Sequence, residues 1–149
     1  MDYQLTTVAA CRVARLDRQR FNEYVAGGDY TCAPKTIPGR SRLFDEADMI
    51  ALCIFAQEIE GQMMKPLMAG LNAEAVLAAL RKRPDADHLT FAHIWQEPML
   101  RLLVDKPLPA GENLVGKSVI RYTVYDIAAV RAVVRKGVEQ ERAIIGPDD

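Results

Sequence analysis

Short stretches of helical periodicity fill the first half of the chain, and alternating or β-branched stretches fill much of the second. Thr6 and Thr7 can cap a short helix beginning near Val8, whose apolar residues Val8, Ala9, Cys11 and Val13 could face a core. A tight turn over Ala14 to Leu16 leads to Asp17, a good N-cap for a second helix running to about Ala26. Gly27 and Gly28 stop that helix, because glycine accepts the conformations a helix end requires. Two short helices separated by a few residues have helix-turn-helix spacing. At 100° per residue, Ala14, Phe21, Tyr24 and Val25 gather on one side. Gln19, Asn22, Glu23 and Ala26 point the other way, with Arg18 and Arg20 on the flanks.

The next stretch, YTCAPKTIPGRSRLF, predicts a small basic hairpin. Tyr30 to Cys32 reads as a short strand, Pro34, Pro38 and Gly39 as turn residues, and Arg40 to Phe44 as a return strand. Lys35, Arg40 and Arg42 would sit on it. Asp45 then caps a third helix whose first turn holds Glu46 and Asp48, favourably placed for the helix dipole. The apolar body of that helix, Met49 to Ala56, predicts deep burial and is far too short to span a bilayer. Pro66 to Lys82 predicts a fourth helix with Leu67, Leu71, Val76, Leu77 and Leu80 on its apolar face, and Gly70 or Asn72 as a possible break.

The charged segment RKRPDAD, from Arg81, reads as a link, and the texture then changes. HLTFAHIW, MLRLLV and KSVIRYTVY predict strands rich in β-branched and aromatic residues. A last helix is expected from Asp126 to about Ile144, with a stripe of Ile127, Val130, Val134, Val138 and Ile144. The division is therefore residues 1–83, helical with a small wing, and residues 84–149, strand-rich with a terminal helix. The fold class is mainly α with a small β content.

The net charge of -1 conceals an uneven distribution. Residues 1–44 carry seven Lys or Arg against four acids, whereas residues 45–80 carry one against six. Positive charge thus collects where a phosphate-facing surface would lie. Asn and Gln can pair with adenine edges and Arg with guanine, so Arg18, Gln19, Arg20 and Asn22 are candidate groove-facing residues. The same pattern also describes any solvated helix face.

Gly39, Arg40, Arg42, Phe44, Asp45, Asp48, Met49 and Leu52 form the stretch GRSRLFDEADMIALCIFAQEIE. With the helix-turn-helix upstream, this stretch resembles the wing-to-helix junction of MerR-type regulators over roughly residues 5 to 82. The resemblance implies a winged helix-turn-helix fold, homodimers and pseudo-palindromic double-stranded DNA sites. It makes Arg40 and Arg42 wing contacts with phosphate or the minor groove. For Arg42 the alternative is a structural pairing with Asp45 or Asp48. The usual aromatic run after the second helix is replaced by VAGGDYTCAP, and no cysteine pair near the C-terminus supports metal sensing. MerR-like heads also occur in excisionases and antitoxins.

Other chemistry is sparse. Cys11, Cys32 and Cys53 form no zinc or redox spacing, and read as free buried thiols. Their equal 21-residue gaps have no matching flanks, so no internal repeat follows. His88 and His93 lie five apart and would point to opposite faces of a strand, against a metal site with Asp85 and Asp87. Glu58 and Glu60, and Glu139 and Glu141, read as solvated helix faces. There is no phosphate-binding glycine loop or GxSxG elbow. Phe91, Trp95, Tyr122 and Tyr125 could line an effector pocket or simply form core and dimer contacts.

The expectation is a non-enzymatic, cofactor-free transcription regulator, homodimeric, cytoplasmic and nucleoid-associated, with no signal peptide. The alternatives are an architectural or recombination-directionality DNA binder, and an antitoxin-type module that grips a protein partner through residues 88–149.

Overall fold

A computed structural model describes residues 3–98 and 100–145. The chain is mixed α/β and forms two compact units. Among the described residues, the first unit comprises residues 3–84 and 129–145, and the second residues 85–98 and 100–128.

In the first unit, β1 (Leu5–Thr6) runs into α1 (Thr7–Ala14), and α2 (Arg18–Ala26) follows after a three-residue turn. Thr6 caps α1, with its hydroxyl accepting from the Ala9 N–H. Arg15 ends it in the left-handed region at φ 56°. There its N–H donates to the Arg12 carbonyl, the Leu16 N–H donates to that of Cys11, and Leu16 drops into the core. Asp17 caps α2 by accepting from the Arg20 N–H at 2.9 Å.

Further along, β2 (Leu43–Phe44) pairs antiparallel with β1, Leu5 opposite Phe44. It leads into α3 (Glu46–Gly61), and α4 (Pro66–Lys82) packs on α3. The start of α3 is a capping box, in which Asp45 and Asp48 each accept the other's backbone N–H. Arg81 of α4 reaches both carboxylates, at 2.6 Å and 3.0 Å. Burial pushes Asp48 up to about 6. Burial also acts upward on Asp45, but the Arg81 and capping hydrogen bonds outweigh it and hold that carboxyl below its ordinary value.

The expected apolar face of α4 is displaced. Leu67 and Leu71 are exposed, while Ala69, Gly70, Ala73, Val76 and Leu80 face inward. A close backbone approach explains this. A Cβ on Gly70 would lie 1.7 Å from the Asp29 carbonyl oxygen, so at this position only glycine admits the chain. The helix is unbroken at Gly70 and Asn72, and the Asn72 amide instead donates to Glu58, which is buried rather than solvated.

The last helix, α5 (Ile127–Ile145), contributes to the first unit from residue 129 onward, so that unit extends beyond a simple division at residue 83. Arg135 pairs with Glu46 at 2.7 Å, and Arg12 forms a two-bonded pair with Glu141 at 2.9 and 3.0 Å. Glu141 is thus buried, with Val134 and Val138, whereas Ile144 leaves the expected stripe and is exposed. Arg131 donates to the Pro84 carbonyl at 2.9 Å, which holds the unit's two chain crossings side by side.

The second unit is an antiparallel sheet in the order β4-β3-β6-β5. It contains β3 (His88–Ile94), β4 (Leu100–Val104), β5 (Asn113–Leu114) and β6 (Lys117–Asp126). The expected strand MLRLLV is found from Leu100, and Met99 lies outside the described residues. The unit's ends also meet, with the Ala128 N–H donating to the Asp87 carbonyl at 2.9 Å. Of the two inner strands, β3 is buried apart from exposed His88. His93 lies opposite Arg101 on one side and Arg121 on the other, and its Nε2 is 2.7 Å from the Thr123 hydroxyl. Burial, then Arg121 and Arg101, lower its pKa.

Two tests follow from this packing. Phe21 of α2 is fully buried in the first unit, and Phe21→Ala should cost about 3–5 kcal/mol, as for other buried aromatic truncations. Gly70→Ala should cost at least about 1–3 kcal/mol through the backbone clash. Urea denaturation followed by far-UV circular dichroism measures both. Because His93 is held neutral in the folded state, its contribution is complete above pH 6.5 and is lost as the pH falls. Stability of the second unit, followed through Trp95, should therefore drop from pH 7 to 5, and His93→Gln should flatten that drop.

Candidate nucleic-acid interface

An aromatic cluster fixes how α2 and the following segment present themselves. Phe21 is fully buried on the inner side of α2. Its ring meets Tyr30 edge-on at 5.8 Å and Phe44 at 5.9 Å. Tyr30 meets Phe55 of α3 at 4.6 Å, and Tyr24 meets the same ring at 5.4 Å. The two ends of segment 31–43 are therefore anchored around one ring, and α2 is anchored with them.

Anchoring the inner side leaves the outer side in water. Arg18, Gln19, Arg20, Asn22, Glu23 and Ala26 are all exposed. Arg20 makes a 3.3 Å contact with Glu60, and both partners are solvent-facing, so the pair contributes little. Among the described residues, no side-chain hydrogen bond or ion pair occupies Arg18, Gln19 or Asn22. These groups have donors and acceptors free for a ligand, and Glu23 beside them offers an acceptor.

The expected hairpin over residues 30–44 is replaced by something smaller. Tyr30 belongs to the core and does not begin a strand, and Leu43–Phe44 pairs with β1 rather than with Tyr30–Cys32. Only a tight turn remains, in which Ile37 and Arg40 form a bridge and the Arg40 N–H donates to the Ile37 carbonyl at 2.9 Å. Pro38 followed by Gly39 at φ 79° is the sequence and geometry of a type II turn. The prolines explain the lost ladder, since Pro34 and Pro38 have no N–H to donate.

Lys35 and Arg40 are exposed on this segment, and no side chain among the described residues pairs with the side chain of either. Arg42 differs. It is half-buried, and its guanidinium donates to the Pro34 carbonyl, tying the two arms of the segment together. It pairs with neither Asp45 nor Asp48, because Arg81 occupies both. Sequence spacing alone did not single out Arg81, which is 36 residues from Asp45.

Other chemistry is weak. The three cysteines are free. Burial pushes Cys11 up to about 11 and Cys53 to about 12, so neither is a nucleophile at neutral pH. Among the described residues, no three His, Cys, Asp or Glu gather where a metal could be held. No helix among them is long and apolar enough to cross a membrane. Tyr122 is engaged in the sheet unit, where its hydroxyl accepts from the Leu108 N–H at 3.0 Å. Phe91 and Tyr125 meet edge-on at 6.1 Å, and Trp95 is exposed.

No protein-family model matches the chain, and no curated protein is significantly similar to it in sequence.

The presentation of α2 depends on its cap. Asp17→Ala should destabilise the protein by about 1 kcal/mol, and Asp17→Asn by much less, in thermal denaturation.

Proposed function

We propose that this protein is a sequence-specific DNA-binding regulator of transcription, with α2 as the recognition helix of a winged helix-turn-helix. One observation carries the reading. Buried Phe21 holds α2 so that Arg18, Gln19 and Asn22 project together, uncommitted, from a rigid element. A helix of this kind fits the major groove, where guanidinium and amide groups distinguish base edges. Lys35 and Arg40, on the turn-bearing segment anchored around the same ring, serve as phosphate contacts that position the helix. The wing is reduced to that turn, and Arg42 supports it from within rather than touching DNA. Arg20 contributes charge at the flank.

The reading extends to two copies on a two-fold site and to a nucleoid-associated, non-enzymatic role without cofactor. A second reading, a module that neutralises a protein partner while also binding DNA, draws on the separate sheet unit of residues 85–128.

Selection of bound sequences from a random duplex library, followed by gel-shift titration at two salt concentrations, tests the proposal. Arg18→Ala or Asn22→Ala should each cost about 1–3 kcal/mol at one position of the selected site. Lys35→Ala and Arg40→Ala should weaken every sequence alike and reduce the salt slope by about one. A library that yields no enriched site, or four variants with equal losses on all sequences, overturns the recognition-helix assignment.

A further inference from the structure

A second surface of the first unit lies between α1 and α5. A groove of about 480 Å³ runs there, with Val13, Val133, Gly137 and Ile144 in its lining. The two helices meet closely, since a Cβ on Gly137 would come within 2.6 Å of Val13. Val133 is 62% exposed and Ile144 73%. Along α5, Val133, Gly137, Gln140 and Ile144 follow spacings of four, three and four, the repeat of a seam that a second helix fits. This seam is distinct from the inward one of Val134, Val138 and Glu141.

The charge around the groove is one-sided. Arg15 and Lys136 line it and are exposed, and among the described residues neither has a carboxylate partner. The acid in the lining, Glu141, is buried and neutralised by Arg12, which lines the groove with it. We infer that this groove docks an amphipathic helix of another protein, apolar along one stripe and bearing Asp or Glu on the flanks that meet Arg15 and Lys136. The inference is independent of DNA binding by α2.

Charge also separates this occupant from the alternatives. A second copy of α5 would bring its own cationic excess, because Arg131 and Arg135 face Glu46 and the outward charges are Lys136 and Arg142 against Glu139. Nucleic acid would find two cations but no donors on Val13, Val133 or Ile144. An acidic amphipathic helix satisfies both the apolar seam and the charge.

The test uses the full chain and two synthetic helical peptides with the same leucines at i, i+3, i+4 and i+7. One peptide carries glutamates on the flanks and the other lysines. Fluorescence anisotropy should give at least about tenfold tighter binding of the acidic peptide. Amide shift changes should centre on Val13, Val133, Gly137 and Ile144. Lys136→Glu should reverse or erase the preference. Val133→Asp should abolish binding of both peptides while leaving the thermal melt unchanged, as Val133 is solvent-facing. Equal affinity for the two peptides, or binding that survives Val133→Asp, overturns the proposal. So does a dimer in sedimentation that Val133→Asp dissociates, which would make a second copy the occupant.

Discussion

The ring of Phe21 is the contact around which the candidate interface is organised. It is buried, and it touches both Tyr30 and Phe44 edge-on, the residues that open and close the segment between α2 and α3. A chain segment closed by its own turn would have carried its rigidity in a ladder of hydrogen bonds. Here Pro34 and Pro38 remove donors from the ladder, and side-chain packing takes over. The Arg42 guanidinium on the Pro34 carbonyl completes the tie. The exposed cations Lys35 and Arg40 therefore sit on a segment fixed at its ends, and α2 is fixed by the same cluster.

The carboxylates show a division of labour that follows from burial. Asp45, Asp48, Glu46, Glu58 and Glu141 all serve the interior of the first unit by accepting from Arg81, Arg135, Asn72 and Arg12. Each of these pairs joins two different elements of the unit, from the neighbouring helices α3 and α4 to α1 and α5. The acids of the region from residue 45 to 80 are thus largely consumed in holding helices together. Arg18, Lys35 and Arg40, which find no such partner among the described residues, remain available at the surface. A net charge near zero is compatible with a locally cationic face for this reason.

Much of the helical frame was legible in the sequence. Thr6, Asp17 and Asp45 each cap the helix they were expected to cap, and Phe21 faces inward as the helical periodicity required. These features depend on neighbours within a few residues, where capping and 3.6-residue periodicity operate. The hairpin was not legible, because Tyr30 and Leu43–Phe44 have compatible strand composition and only the competing partners, Phe21 and β1, decide against their pairing. The inward face of α4 was hidden for a similar reason. Leucine spacing suggested one side, yet the approach of the Asp29 carbonyl to Gly70 selected the side with small residues.

By itself, then, the sequence determined where helices begin and end, which side of α2 is apolar, and that strands follow residue 88. Those outcomes are set by local hydrogen bonding and by the periodic placement of apolar groups. Tertiary structure alone decided that α5 returns to the first unit, that Glu58 and Glu141 are buried, that Arg81 rather than Arg42 serves Asp45 and Asp48, and that a groove opens beside α1. Such choices are made by contacts between residues 14 to 129 positions apart, and no local pattern encodes which partner wins.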